Sequence, residues 1–334
     1  MEKAAATQFT EMTFPAPSQR LVSGVLFISM KTNLIGSSAM KATRMAYGCW
    51  RLADVAEGAG ATAAIAAYEA GFTLFDHADI YGDSQCETIF GGVLKEVSGM
   101  REGIVIASKC GIRKPGDPAP DSPYRYDFSA EYIIQSCEQS LERLGVDVIE
   151  IFQLHRPDYL CDPHEVAGAF EKLQADGKVR EFGVSNFNPS QLAMLQKACP
   201  MPLIVNQVEI SLANLACFDD GTLDHCLTEK ITPLAWSPLG GGKLADGPVQ
   251  LLGHQEGYDT SSVVSELDKI AAARGSSRTA IALAWLMRHP SGIVPIVGTT
   301  NPERINEAAT ADDIELTRDE WYRLMGAARQ RPLP

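Results

Sequence analysis

No cluster of lysine or arginine occurs in the 334-residue chain, where 29 basic residues stand against 42 acidic ones and the formal net charge is −13. Nucleic acid and anionic membrane surfaces are recognised first through concentrated positive charge, so neither is an expected partner. The acidity itself speaks only for solubility. A C-x-x-C pair is also missing. The eight cysteines (49, 86, 110, 137, 161, 199, 217 and 226) are scattered, with no histidines at ligand spacing. That argues against a zinc knuckle and a disulfide framework, and it fits reduced thiols in a cytoplasmic protein. Long apolar runs are absent too. The stretch LVSGVLFISM (21–30) is short, follows no basic cluster and precedes no small-residue cleavage pattern, so it reads as neither signal peptide nor membrane span. Residues 1–29 lack the arginine richness of a transit peptide and read as an ill-defined extension. Residues 30–334 are then expected to form one domain.

What is present is alternation. Short, β-rich apolar runs recur at 44–48, 72–76, 103–109, 148–155, 180–185, 203–207, 232–237 and 292–298, with helical segments between them. Several helices carry start and stop signals. Ser84 and Glu87 have the spacing of a capping box ahead of Ile89, Phe90, Val93 and Leu94. Ser129 precedes an apolar series from Ile133 to Leu144 that ends at Gly145. Asn188 followed by Pro189 marks an N-cap and a first-turn proline. Residues 262–274 and 279–289 make two further helices.

Strands joined by helical crossovers must run parallel, which leaves an open doubly wound sheet or a closed (β/α)8 TIM barrel. Eight runs in this length favour the barrel. The dinucleotide fingerprint G-x-G-x-x-G is missing after the first run, which ends instead in GCWRLAD, and Gly240–Gly242 come only after the seventh run. Ahead of the first run, MKTNLIGSSAMKATRMAYG reads as a β-hairpin plugging the barrel floor.

In such a barrel the chemistry sits at the C-terminal ends of the strands. Polar residues stand there repeatedly: Asp76, Lys109, His155, Ser185 with Asn186, Gln207, and Ser237. Each alone has an ordinary structural explanation, but four unlike groups delivered to one mouth do not. A tyrosine is a poor proton donor near neutrality unless a cation stabilises its phenolate. Lys109 supplies that cation for Tyr81, Asp76 holds the ammonium, and His155 donates to a substrate oxygen. The product is a general acid for a developing alkoxide, as in carbonyl reduction. Without metal-ligand spacing or a flavin fingerprint, a nicotinamide cofactor is the economical hydride source. Asn186 and Gln207 offer the donors and acceptors its carboxamide needs, and Trp236 a ring to stack on it. GTTNPERI (298–305) opens a helix with Arg304 placed for a phosphate.

Seven segments in order resemble the aldo/keto reductase family over roughly residues 30–330: FDHADIYG, IASKCG, LHRPD, GKVREFGVSNF, NQVEIS, AWSPLGGG and VGTTNPERI. GCWRL, DHADIYG and HRPD resemble a poorly characterised bacterial oxidoreductase branch. The resemblance implies an NADP(H)-dependent reductase, with NAD(H) second, and Asp76, Tyr81, Lys109 and His155 as its tetrad. It implies that Ser185, Asn186 and Gln207 hold the carboxamide and that Trp236 stacks on the nicotinamide. Ser237, Pro238, Leu239 and Gly241 would line the pyrophosphate side, and Thr299 and Arg304 the 2′-phosphate, with Gly48, Asp76 and Gly298 completing the cofactor set. This chain has Gly298 and Ala308 where many members carry lysine and asparagine, which softens the NADP preference. His77 replaces the usual threonine beside Asp76.

The expected substrate is a carbonyl compound, an aldehyde or ketone, small or aromatic, with Trp50, Tyr159 and Phe187 as apolar wall residues. The resemblance implies that selectivity comes from the loops, here 111–128, 212–224 and 243–261, and from the C-terminal tail. Two competing readings stand beside the reductase: a nucleotide-sensing regulatory or binding subunit with vestigial turnover, and a barrel hydrolase or isomerase without nicotinamide. Oligomeric state stays open.

Overall fold

Each of the eight runs forms a strand in the computed structural model, which describes residues 19–22, 25–28 and 30–330. The strands are β1 (Ala46–Gly48), β2 (Leu74–Asp76), β3 (Val105–Cys110), β4 (Ile149–Leu154), β5 (Val179–Ser185), β6 (Leu203–Glu209), β7 (Thr232–Trp236) and β8 (Val294–Val297). Neighbours pair in parallel around the ring. Closure comes from β8 against β1, where Ile296 faces Ala46 and Val297 faces Tyr47. That pairing removes the edges an open sheet would keep, and the architecture is the (β/α)8 barrel. Strands covered on both faces need no polar side, which is why the runs are continuously apolar.

Helices alternate with the strands on the outside, and most obey their sequence signals. The helix Ala130–Leu144 is capped by the Ser129 side chain and ends on Gly145 in the left-handed conformation. The helix Pro189–Ala198 starts with a full capping box between Asn188 and Gln191. Ser261–Arg274 and Arg278–Met287 are the two late helices. The capping box expected at Ser84 and Glu87 does not form. Ser84 adopts φ 71°, which turns its hydroxyl back onto the Asp79 carbonyl at 2.7 Å. Glu87 is instead fully buried, accepting from Ser108 Oγ at 2.6 Å and from Arg143 Nε at 2.8 Å.

The expected hairpin is present as Thr32–Leu34 paired antiparallel with Lys41–Thr43. It closes the floor because Ile35 and Ala42, both wholly buried, join the apolar cluster inside the barrel with Leu74, Ile151 and Leu234. Gly36 makes the tight approach. At φ +56° its backbone passes so near β6 that a Cβ would stand 2.4 Å from the Ile204 carbonyl oxygen. Its amide donates to Thr232 Oγ1 at 2.7 Å. Of the extension expected at 1–29, Gln19–Val22 pairs antiparallel with Val25–Ile28. Residues 1–18, 23–24 and 29 lie outside the described residues, so the expectation for that segment is not decided. Among the described residues no helix is long and apolar enough to cross a membrane.

Candidate functional site

The barrel carries its polar groups to one end. Asp76 is the last residue of β2, Lys109 stands near the end of β3, and His155 follows β4 directly. Tyr81 comes from the loop after β2, whose turn holds Gly82, Asp83 and Ser84 at positive φ and brings the phenol back over the mouth. Lys109 is wholly buried, so each of its three ammonium hydrogens needs a partner. It donates to Asp76 Oδ2 at 2.9 Å, to the His77 carbonyl at 2.6 Å and to Tyr81 Oη at 3.0 Å. The other oxygen of Asp76 accepts from Gln207 Nε2 at 2.7 Å. This fixes the carboxylate from both sides. The Tyr81 ring lies edge-on to His155, with centroids 5.8 Å apart.

The electrostatics correct one expectation. Burial pushes the Tyr81 phenol up to about 12, and the pull of Lys109 in the other direction does not offset it. The unliganded phenol therefore keeps its proton through the neutral range instead of becoming more acidic. Burial also acts to lower the Lys109 ammonium, but the carboxylate of Asp76 and the Tyr81 oxygen together outweigh it, and its pKa lies above the ordinary lysine value. His155 is held neutral by burial, with Lys109 and Arg156 adding to the effect.

Beneath this layer lie groups whose roles the sequence left open. His77 is fully buried, packs on Phe90 with ring centroids 4.5 Å apart, and has no partner for either ring nitrogen among the described residues. Burial first, and Lys109 second, lower it to about 3. It fills space as a neutral ring and contributes its carbonyl to Lys109. Asp79 is buried as well. Burial, helped by Glu87, raises its carboxyl to about 8, and its Oδ1 lacks a partner among the described residues.

Above Asp76 opens a cavity of about 790 Å³ that reaches from Tyr81 and His155 to Thr299 and Arg304. All the expected cofactor-side residues line it. Asn186, at φ 63°, donates to the His155 carbonyl at 3.1 Å and to Ser185 Oγ at 2.8 Å, while its Oδ1 accepts from Trp236 Nε1 at 3.0 Å. Ser185 Oγ donates to the Gln207 carbonyl at 2.8 Å. At the far end Asn301 caps the helix Pro302–Ala309 and accepts the Arg304 amide at 3.1 Å. The Arg304 guanidinium has no hydrogen-bond or ion-pair partner among the described residues, so this end offers an open cation beside a helix start.

Of the expected apolar wall residues only Trp50 lines the cavity. Tyr159 is 92% exposed, out on the loop after β4. Phe187 is buried and stacked on Phe128, because the chain turns inward after Asn186. Sequence reasoning missed Arg51 and Arg156. Arg51 donates to Gln250 Oε1 at 2.8 Å and to the Gly298 carbonyl at 3.2 Å, linking the loops that follow β1, β7 and β8. Its Nη1 lies 3.2 Å from where a Gly298 Cβ would stand, so a cation occupies the flank of that glycine. Arg156 directly follows His155, and the strand-end argument that selects His155 would have reached it.

A cavity with a polar, lysine-backed mouth and an unpaired cation at its other end fits a long ligand with a phosphate. The model of the aldo/keto reductase family matches residues 44–329. A 6-dehydroglucose reductase of Novosphingobium aromaticivorans is 40% identical over 308 residues, covering 90% of this chain and 96% of the relative. Oxidoreductase YdhF of Escherichia coli is 39% identical over 294 residues, covering 87% and 95%. Among solved structures, the glycerol dehydrogenase AKR11B4 of Gluconobacter oxydans superposes with a TM-score of 0.79 at 24% identity, covering 91% of this chain and 97% of that one, a likeness of fold.

Proposed function

From the membership of this chain in the aldo/keto reductase family, matched over residues 44–329, we propose a carbonyl reductase in which Tyr81 is the general acid. The chain is an oxidoreductase that interconverts a carbonyl group and an alcohol with a nicotinamide cofactor, and the assignments that follow are ours. When bound, the cofactor supplies the hydride. Ser185, Asn186 and Gln207 hold its carboxamide and Trp236 flanks its ring. Ser237, Pro238, Leu239, Gly241, Gly48 and Gly298 give its diphosphate close backbone approach. Thr299 and Arg304 take a 2′-phosphate, which favours NADP(H) over NAD(H). The observation carrying the reading is the 3.0 Å contact of Lys109 Nζ with Tyr81 Oη, backed by Asp76.

Tyr81 binds the carbonyl oxygen through its hydroxyl and gives up that proton as the oxygen gains negative charge. The charge left on the phenolate then falls on Lys109, which Asp76 keeps oriented. Neutral His155 donates its single N–H to the same oxygen and fixes the direction of the carbonyl. The walls around Trp50 keep water from the reacting carbon. The same proposal takes residues 30–334 as one catalytic domain with 1–29 outside it, places the protein in the cytoplasm, and assigns it to the bacterial branch marked by GCWRL, DHADIYG and HRPD.

The test is NADPH oxidation with a panel of aldehydes, a sugar aldehyde included because a relative is named for 6-dehydroglucose. Tyr81→Phe should lower kcat by about 10²–10⁴-fold with little change in NADPH binding. Because the phenol titrates near 12, reduction should stay flat through neutral pH, while alcohol oxidation should climb with pH. Equal turnover by variant and wild type would remove Tyr81 as the acid. Tight NADPH binding with no turnover on any carbonyl would favour the regulatory reading.

A further inference from the structure

Arg156 stands at the substrate end of the cavity, one residue past His155. Its guanidinium carbon lies 5.7 Å from the centroid of the Trp236 ring, and its charge is felt by both His155 and Tyr124. Among the described residues it has no hydrogen bond and no ion pair. Other cations around the mouth are occupied. Arg113 is paired with Asp117 and Asp127, Arg51 is bonded to Gln250 and Gly298, and Lys109 is saturated. The carboxylate nearest the reaction, Asp76, has both oxygens taken by Lys109 and Gln207. Arg156 is half-buried in a strongly acidic protein, yet no acidic side chain among the described residues pairs with it.

We infer that Arg156 determines substrate selectivity, and that the substrate is a carbonyl compound carrying acceptor oxygens beyond its reacting carbon, either a carboxylate or vicinal hydroxyls. This rests on the reductase reading of the same mouth. A plain alkyl aldehyde entering between Trp50, Tyr124 and Trp236 would strip water from the guanidinium and return nothing, whereas an acceptor group satisfies its fork of N–H donors. The asymmetry is large because a buried donor left unpaired costs more than an extra methylene gains. On the proposed reading Arg304 takes the 2′-phosphate of the cofactor, which leaves Arg156, also lining the cavity, for the substrate.

Three four-carbon aldehydes separate the possibilities: butanal, 4-oxobutanoate and D-erythrose. In wild-type protein at least one oxygenated aldehyde should exceed butanal in kcat/KM, and which one does so tells carboxylate from hydroxyl recognition. Arg156→Gln should lower the preferred oxygenated substrate about 10- to 100-fold more than butanal, mainly through KM, and Arg156→Lys should recover part of the loss. A preference of the wild type for butanal would overturn the inference. So would an equal fall for all three substrates in Arg156→Gln. The alcohols 1-butanol, 4-hydroxybutanoate and erythritol, titrated by tryptophan fluorescence at Trp50 and Trp236, give the same comparison without turnover. If no aldehyde is reduced, the reductase reading fails. The binding series still decides on Arg156: weaker binding of an oxygenated alcohol to Arg156→Gln supports it, and unchanged binding refutes it.

Discussion

Asp79 and His77 flank Ala78 at the mouth and burden stability at opposite ends of the pH scale. The folded protein keeps the Asp79 carboxyl protonated up to about 8, whereas the unfolded chain releases that proton near 3.8. Across that window the unfolded state binds fewer protons, so stability falls as pH rises. His77 has the reverse sign. It stays neutral down to about 3 when folded but charges near 6.5 when unfolded, so stability is lost as pH falls through that window. Asp79→Asn should therefore raise the melting temperature relative to wild type at about pH 9 more than at about pH 5. A difference that stays constant between the two would mean that Asp79 is not buried as an acid. Neither role was legible in the sequence. The string FDHADIYG announces polar residues at a strand end, but burial depth, and with it the winning protonation state, depends on the neighbours Phe90 and Glu87, which arrive from the next helix.

At the level of elements, local signals and tertiary demands disagree in a few identifiable places. Asn188, Ser129 and Gly145 behave as their spacing predicts: both side chains accept from the first turn of their helices, and Gly145 takes the left-handed φ that ends its helix. Ser84 and Glu87 have the same spacing, but the loop must deliver Tyr81 to Lys109. The positive φ needed for that turn takes Ser84 away from its cap, and the half-buried Arg143 claims Glu87. The floor hairpin shows the opposite case, a local device enforced by packing. Gly36→Ala should lower stability by at least about 1–3 kcal/mol, because a methyl group meets the Ile204 carbonyl at a left-handed φ. Urea denaturation would measure this, and an unchanged midpoint would mean that the hairpin is not seated in the barrel floor. Tyr159 and Phe187 were misread for a similar reason. Apolar character places a residue near a mouth loop, while the direction of the chain after Asn186 decides which face sees the cavity.

Across the whole molecule, one cavity is lined both by Tyr81, the proposed acid, and by Arg304, the proposed phosphate contact, and if both proposals hold the two functions should fail independently. Arg304→Ala should weaken NADPH binding by about 10- to 100-fold, with a smaller effect on NADH, while the pH profile of reduction keeps its shape. Fluorescence titration with both cofactors checks this, and an equal loss for the two would remove Arg304 from the 2′-phosphate. Much of this plan was readable in advance. Eight apolar runs of strand length, separated by helical segments, dictate parallel strands, and the residue ending each run faces the mouth because the strands run in one direction. The sequence alone therefore determined the barrel, the floor hairpin, and the delivery of Asp76, Tyr81, Lys109 and His155 to one end, since periodicity and order are local properties. Only the tertiary structure decided the phenol's raised pKa, the neutral His77, the acid form of Asp79 and the charges of Arg156 and Arg304, which have no ion-pair partner among the described residues. Those depend on desolvation and on which charges lie within a few ångströms, and such distances are set when elements far apart in the chain close into a barrel.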